Sequence, residues 1–290
     1  MSNAYEARKT LPYRVEFIRQ LKRRRTLVSY LLMVALPLIV VAAVKLGPQA
    51  GSSGSGGSSG GGGFGGGSLN LIGLATNGTW NFTVVMLLFG AGFLLTTVFA
   101  LFAGDTVASE ASWSTLRYLL ATPVPRRRLL TVKLAVGLTL ALGSVIALVL
   151  ASLGIGALAF GTAPLTSPLG GTFEGWEAFT RIAIIAGYIA LTLLFASGVA
   201  FLMSVTTDVP LGAVGTAVMV VIISQILDAL EALGDLREWL PSHYSNAWTE
   251  ALSPVMDWTA MSKGASYSII AFIIFVTWAI LRFDKKDVLS

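Results

Sequence analysis

The sequence has no cysteine and only one histidine, and both shortages exclude classes of site. Without cysteine there is no disulfide and no thiolate metal site. A single histidine cannot form the histidine cluster of a zinc enzyme. Charged side chains make up 12% of the 290 residues, whereas soluble domains carry about 25%. Hydrophobic residues make up 54%, a balance typical of a protein embedded in lipid.

Long apolar runs dominate the chain and indicate its fold class. A helix needs about 20 apolar residues to cross a bilayer, and six runs come close to or exceed that length: 26–46, 82–104, 129–160, 181–206, 211–230 and 265–282. The fourth and fifth runs are separated by TTDVP, which predicts a tight turn. We therefore predict an all-α integral membrane protein with six transmembrane helices, built as one domain over residues 1–290.

Lys and Arg are distributed unevenly between the two ends of these spans. Sixteen of the twenty lie on one side, in the N-terminal segment, around the 105–133 loop and after the last span. Because cytoplasmic loops retain basic residues, both termini are predicted to be cytoplasmic. The basic runs border apolar spans, so they indicate membrane topology and not nucleic-acid binding.

Two further segments are amphipathic. Residues 10–25 place apolar side chains on one helical face and polar ones, including Glu16 and Gln20, on the other, which predicts an interfacial elbow helix with Thr10 as its cap. A basic tail that merely sets topology is the alternative. Residues 231–264 mix Leu and Trp with acidic residues and predict a re-entrant or interfacial region on the outer side. His243 has no ligand partner in that region, and we interpret it as structural.

The segment between the first two spans is rich in glycine. Residues 51–68 read GSSGSGGSSGGGGFGGGS, and neither flank is a soluble domain that such a stretch would link. The absence of GK[ST] excludes a phosphate-binding loop. As a Gly/Ser coil, these residues would span about 21–25 Å. We predict a flexible outer loop over 47–80.

The chain also lacks the motifs and charges that would power transport by itself. Neither GxxxxGK[ST] nor HExxH occurs. The charges nearest to the spans, Asp105, Lys133, Arg181 and Asp228, all lie near predicted span ends. A charge at the bilayer centre costs roughly 2.5–3.5 kcal/mol and is kept there for a function. We therefore expect another subunit to supply the energy for any transport.

The inner loop from Gly104 to Lys133 reads GDTVASEASWSTLRYLLATPVPRRRLLTVK. Trp113, Leu116 and Leu120 recur at helical spacing, and the two prolines at 123 and 125 end the helix. A short helix at this place can dock a partner or anchor in the interface, and its periodicity favours neither.

This loop resembles that of the membrane permease subunits of type-2 ABC transporters, which are mostly bacterial exporters. Their loop has the form S-E-x-x-W-G-T-x-R-x-L-L, a Pro or Gly turn, R-x-R-L-L and a Lys. The chain matches this form at Ser109, Glu110, Trp113, Thr115, Arg117, Leu119, Leu120, Pro123, Arg126, Arg128, Leu129, Leu130 and Lys133. Ser114 replaces the usual Gly, and the order of elbow, spans, tight turn and outer region also corresponds.

The resemblance implies the type-2 ABC exporter fold and a defined set of partners. Such permeases pair as homo- or heterodimers, and each inner loop docks as a coupling helix on a separate ATPase subunit that binds ATP and Mg. Carried over to the loop at 105–128, the contacts would be Glu110, Trp113, Thr115, Leu116, Arg117 and Leu120. The alternative for the apolar ones is packing on the elbow helix of the same chain.

In this family spans two and five line the substrate pathway. The corresponding residues here are Phe89, Phe93, Thr96, Thr97, Met219, Ser224 and Gln225. Apolar walls with few polar groups suit a hydrophobic or amphipathic substrate such as a drug, lipid or peptide. Ordinary helix packing is the alternative for each of these residues.

Together these features predict a permease subunit in the bacterial cytoplasmic membrane that exports its substrate with ATP hydrolysed by the partner. The chain itself would be no enzyme and would hold no cofactor or metal. A scaffold or sensor that recruits an ATPase without transport is the first alternative. An ion-coupled secondary carrier is the second, and it would need a carboxylate within the membrane.

Overall fold

The computed structural model describes residues 12–46, 71–112 and 125–284. Nearly all of them are helical. In chain order the elements are α1 (Tyr13–Leu21), α2 (Arg24–Leu46), α3 (Leu71–Thr76), α4 (Thr79–Phe89), a π-helical segment (Gly90–Leu94), α5 (Leu95–Ser112), α6 (Arg126–Phe160), β1 (Leu165–Thr166), β2 (Thr172–Phe173), α7 (Gly175–Thr192), α8 (Leu194–Thr206), α9 (Pro210–Asp228), two 3-10 segments (Glu231–Trp239 and His243–Leu252) and α10 (Trp258–Asp284).

Six helical rods in these ranges are long and apolar enough to cross a membrane. They are α2, α4 with α5, α6, α7 with α8, α9 and α10. The prediction of an all-α protein with six helices able to cross a membrane is therefore confirmed. The predicted tight turn is also present, because α8 ends at Thr206 and α9 begins at Pro210, where the proline ring suits the first helical turn.

Several rods extend beyond the apolar runs from which they were predicted. α7 begins at Gly175 instead of 181, because Glu177 and Arg181 pair one turn apart, with 3.1 Å between Oε1 and Nη2. α10 begins at Trp258 instead of 265. Polar side chains at helix ends thus continue a helix that hydropathy alone would end too early.

Two rods are interrupted near their middle, which hydropathy does not reveal. Five residues from Gly90 to Leu94 form the π-helical segment between α4 and α5. The π-helical turn changes the usual hydrogen bonding of the main chain. The hydroxyl of Thr96 donates to the main-chain oxygen of Ala91 at 2.9 Å and so gives that oxygen a hydrogen-bond donor. The second interruption is at Leu193, between α7 and α8. π-helical segments are frequent at functional sites.

The core consists of two apolar clusters. One joins α2, α4, α6 and α7 through large buried side chains such as Met33, Phe82, Leu140 and Ile185. The other joins α5, α8, α9 and α10 around Phe201 and neighbouring aliphatic residues. α5 and α6 pack closely on each other between the two clusters. The remaining apolar side chains of the rods are largely exposed, as lipid-facing surfaces are.

The elbow helix α1 is amphipathic, but its faces are used differently from the prediction. Its N-cap position is Pro12, and the predicted cap Thr10 lies outside the described residues. Glu16 and Gln20, expected on a water-facing surface, are 2% and 6% exposed. They point toward α6, where Glu16 meets Lys133. Ile18 and Leu21 are exposed on the outer face, which suits contact with lipid. Tyr13 is partly exposed, but its hydroxyl shares a 2.7 Å hydrogen bond with Thr139 of α6.

The opposite end of the molecule carries the β1–β2 hairpin and the two 3-10 segments, and we call it the hairpin end. The region predicted as re-entrant or interfacial contains these 3-10 turns. Buried Arg181 donates to the main-chain oxygens of Ala251 and Ser253 at 2.8 and 2.7 Å, and its guanidinium stacks 3.5 Å from the ring centre of Phe173. One arginine thus joins α7, the hairpin and the second 3-10 segment.

The segment 47–80 differs in part from the flexible loop suggested by its composition. Residues 47–70, including the whole Gly/Ser stretch, lie outside the described part of the chain. Within the remainder, α3 is helical and α4 already begins at Thr79. The apolar sequence LIGLAT explains this difference, since it can pack where glycine and serine cannot.

We predict that Gly137→Ala destabilises the protein and that Gly154→Ala on the same helix does not. A Cβ at Gly137 would lie 2.7 Å from the main-chain oxygen of Phe102, and a backbone atom of α5 cannot turn aside. Overpacking of this kind costs about 1–3 kcal/mol. At Gly154 a Cβ would meet nothing within 4 Å.

Thermal unfolding of the two variants in detergent checks this expectation. A melting temperature that falls only for Gly137→Ala supports close α5–α6 packing. Equal melting temperatures for both variants would contradict it.

Candidate functional site

Three buried charged side chains and the partly exposed Arg19 form a cluster at the α1 end of the molecule. The ammonium nitrogen of Lys133 lies 2.5 Å from Oε1 of Glu110 and 3.3 Å from Oε1 of Glu16. Arg19 lies 2.8 Å from each of the two carboxylates. Lys133, Glu16 and Glu110 are 1%, 2% and 4% exposed. We call this set the Lys133 cluster.

The Lys133 cluster joins three helices because each contributes part of a balanced charge set. Lys133 is in the second turn of α6, Glu110 in the last turn of α5, and Glu16 and Arg19 in α1. Two acids and two bases give no formal net charge, which is the condition under which ions are tolerated in an interior. Gln20 adds a donor to Glu16 at 2.9 Å.

The pKa of Glu16 reflects this environment. Burial alone would raise the pKa of the carboxyl, but Lys133, the amide of Gln20 and Arg19 together hold it below its ordinary value of 4.5. The ionised form of Glu16 is therefore favoured by the fold. Burial alone would lower the pKa of Arg19, but the carboxylates of Glu16 and Glu110 hold it above its ordinary value.

A second ion-pair group fixes the turn between α1 and α2. The carboxylate of Asp105 on α5 pairs with Arg25, and Nη1 of Arg23 lies 3.5 Å away. Thr26 donates to the main-chain oxygen of Gln20 at 2.7 Å. Together with the Lys133 cluster, these contacts hold the elbow against α5 and α6.

The Lys133 cluster lies at the boundaries of the predicted coupling loop. α5 ends at Ser112 and α6 begins at Arg126, and residues 113–124 lie outside the described part of the chain. Five of the predicted loop contacts are therefore not placed: Trp113, Thr115, Leu116, Arg117 and Leu120. The sixth, Glu110, is buried and bound to Lys133 and Arg19. Its role at a joint with a partner stays a prediction.

A single serine connects α5 to α8 close to this cluster. The buried hydroxyl oxygen of Ser204 accepts from the main-chain nitrogens of Val107 and Ala108 at 3.1 and 3.0 Å. These two residues lie less than one turn before Glu110. The hydroxyl of Ser204 thus ties α8 to the main chain of α5 just before its last turn.

A cavity of about 590 Å³ lies nearer the hairpin end. Its walls come from the π-helical segment, the junction of α7 and α8, the last turns of α9 and the second 3-10 segment. Both helix interruptions, at Gly92 and at Leu193, face this space. The cavity falls in the size range of ligand pockets, which is about 300–1,000 Å³.

The predicted pathway residues divide between this cavity and other surroundings. Thr96 and Gln225 line it. The large side chains among the others are exposed on the outside of the bundle: Phe89 by 47%, Phe93 by 59% and Met219 by 56%. Ser224 is buried and shares a 2.6 Å hydrogen bond with Ser242, which lines the cavity. Thr97 is half-buried and lies outside the cavity lining.

His243 has a partner that its isolated position in the sequence did not reveal. Nδ1 of His243 lies 2.6 Å from Oδ1 of Asp228, the last residue of α9. Its ring also meets that of Tyr244 edge-on at 4.9 Å. The structural interpretation of His243 is kept, but its isolation is corrected. Within the described ranges, no three His, Asp or Glu side chains come together as a metal site would need.

Some residues of the candidate site could have been recognised from the sequence and others could not. Lys133 is the only charge between Arg128 and Arg181 except for Glu174 and Glu177, and a lone lysine in an apolar run signals a buried counter-ion. Glu16 as that counter-ion is 117 residues away, and no local pattern indicates the pairing. Ser204 could not be recognised, because a serine within an apolar span is usually a small packing residue and its contact with α5 leaves no sequence pattern.

Comparison with known families assigns most of this architecture to one family. Residues 68–289 match the family described as "Protein of unknown function (DUF2705)". The chain belongs to the DUF2705 family. No curated protein matches it. The DUF2705 region contains Glu110, Lys133 and the cavity, whereas Glu16 and Arg19 lie before it.

We predict that Lys133→Met strongly destabilises this DUF2705 protein. The change leaves two buried carboxylates with Arg19 as their only cation within the cluster. Removing one partner of a buried ion pair costs about 3–5 kcal/mol. The control is Arg127→Met, which removes an ion pair with Asp284 in which the arginine is 70% exposed. Exposed pairs contribute about 0–1 kcal/mol. Melting temperatures in detergent measure both changes, and equal shifts would contradict the prediction.

We also predict that the stabilising effect of Glu16 disappears in acid. Because the folded-state pKa of Glu16 is lowered, its contribution is complete above the ordinary value of 4.5 and is lost as pH falls through the lower folded-state value. The melting-temperature difference between the native chain and Glu16→Gln should be largest near neutral pH and should shrink below pH 4.5. A difference that grows on acidification would show the opposite sign of linkage.

Proposed function

We propose that this DUF2705 protein is the membrane permease subunit of an ATP-driven ABC exporter. The observation that carries the proposal is the Lys133 cluster, which fixes both helices bordering 113–124 and holds them against the elbow. A loop that receives force needs such a rigid base, because movement is otherwise lost in local flexing. The resemblance of residues 109–133 to the coupling loop of type-2 permeases supports the same function.

Force applied at the loop would reach the cavity through α5 and α8. Ser204 binds the main chain of α5 immediately before Glu110, and α8 runs from there to the interruption at Leu193. α5 itself runs to the π-helical segment. Interrupted helices bend more readily than continuous ones. Closure of the ATPase subunits would then change the shape of the cavity at these two interruptions.

The remaining parts of the proposal follow from topology and composition. Both termini and the 113–124 loop lie in the cytoplasm, because that side carries the excess of Lys and Arg. A second permease, identical or related, completes the assembly in the bacterial cytoplasmic membrane. The ATPase subunits bind ATP and Mg. The substrate is hydrophobic or amphipathic, in keeping with the largely apolar cavity walls.

We predict that the affinity-tagged chain, purified from its native membrane in mild detergent, carries an ATPase subunit with a P-loop in near-stoichiometric amount. Trp113→Ala should lower the recovered ATPase at least about tenfold, since a buried interface tryptophan typically contributes 2 kcal/mol or more. The control is Trp176→Ala, because Trp176 is 76% exposed at the hairpin end, far from the loop.

Three outcomes decide the proposal. Selective loss of the ATPase in Trp113→Ala supports the coupling role. The absence of any P-loop subunit, or its full retention in Trp113→Ala, contradicts it. Reconstitution of the purified complex in liposomes then separates a transporter from a scaffold. Substrate-stimulated ATP hydrolysis is expected of the transporter, and a scaffold would show none.

A further inference from the structure

We propose that the cavity at the hairpin end binds an amphipathic organic cation, with the carboxylate of Asp228 as its counter-charge. The proposal needs only this chain. It rests on the proposed function solely where the cation is taken to be the exported substrate.

The lining carries a single formal charge. Asp228 is the one Asp, Glu, Lys, Arg or His among the described residues that form the walls. His243 contacts Oδ1 of Asp228 through Nδ1 from outside the lining, and a neutral imidazole can make this bond as donor. Arg237 donates to the main-chain oxygen of Asp228 at 3.4 Å, not to its carboxylate. The carboxylate therefore gives the cavity a negative charge.

The two 3-10 segments at this end of the molecule are acidic as well, and the second of them lines the cavity. Between Glu231 and Leu252 they contain Glu231, Asp235, Glu238 and Glu250 against Arg237 as the sole lysine or arginine. An acidic mouth raises the local concentration of cations and repels anions. A ligand that approaches from the hairpin end thus meets negative charge before it reaches Asp228.

The walls are polar at one end of the cavity and apolar at the other. Gln225 and Asp228 in the last turn of α9 face Ser242 and Ser245 of the covering region. Toward the middle of the bundle the lining is Leu88, Ala91, Leu193 and Phe195. Trp248, 6% exposed, adds an aromatic wall that attracts cations. A ligand with an apolar body and one cationic group fits this arrangement.

The test uses two ions of the same shape and opposite charge, tetraphenylphosphonium and tetraphenylborate. Saturable binding of each to the purified chain is measured by equilibrium dialysis in a neutral maltoside detergent, without ATP or partner subunits. We expect the phosphonium ion to bind at least about tenfold more tightly than the borate. Equal affinity, or preference for the borate, overturns the proposal.

Two pairs of variants locate the site. Asp228→Asn removes the charge but keeps an oxygen that can accept from His243, and it should weaken phosphonium binding about tenfold. Asp257→Asn is its control, because Asp257 is an exposed residue at the same end, before α10. Gly92→Leu places a side chain in the cavity, since a Cβ there meets nothing within 4 Å. Gly187→Leu is its control at an equally open position outside the lining.

Binding lost in Asp228→Asn and Gly92→Leu but kept in both controls supports the cation site. Unchanged binding in Asp228→Asn overturns it, whatever the other variants show. Since no ATPase takes part, the result is independent of the proposed transport function. A chain that binds the cation without ever recovering an ATPase would retain this site and lose that function. An ATPase complex that does not bind the cation would support the transport function and contradict the cation site.

Discussion

An ammonium group inside an apolar helical bundle is tolerated only where carboxylates surround it, and Lys133 therefore constrains three helices at once. Its partners come from α1 and α5. The two ion pairs therefore set how far α6 is shifted along its axis relative to both helices. A slip of one turn would leave charges without counter-ions, at a cost of several kcal/mol. Apolar packing alone is less discriminating, because Leu and Ala at neighbouring turns can replace one another. The Lys133 cluster thus supplies specificity where the apolar cores supply most of the buried area.

The two ends of the molecule differ in how their helices are joined. At the α1 end, buried ions and the Ser204 hydrogen bonds tie neighbouring helices to one another. At the hairpin end, α4–α5 and α7–α8 are interrupted beside an open volume, and the second 3-10 segment lines it. Such turns have poorer hydrogen-bond geometry than α-helices. The proposed transfer of force would need the helices to stay joined at the α1 end and to bend at the two interruptions.

Much of this fold could be predicted from the sequence, because membrane helices follow from hydropathy and charge. The six spans and the turn at TTDVP needed only local information. The burial of Glu16 could not be predicted in this way, since its partner lies in another span and amphipathic periodicity placed it toward water. The cavity also escaped prediction. It depends on the π-helical segment Gly90–Leu94 and on the break at Leu193. Neither interruption changes the mean hydropathy of its span, so neither can be read from the sequence. Of the predicted pathway residues, Thr96 and Gln225 line it because they lie on the inward faces of their helices.

The distance in sequence between Glu16 and Lys133 also orders the biosynthesis of the protein. The two residues are 117 positions apart, so the elbow is synthesised well before its cationic partner exists. At ~5–20 residues per second this interval lasts about 6–23 s. During that time Glu16 must remain hydrated or pair with Arg19. Synthesis of α5 and α6 then provides Glu110 and Lys133 and closes the cluster. The elbow is thus made early but becomes fixed late, when α6 supplies a single lysine.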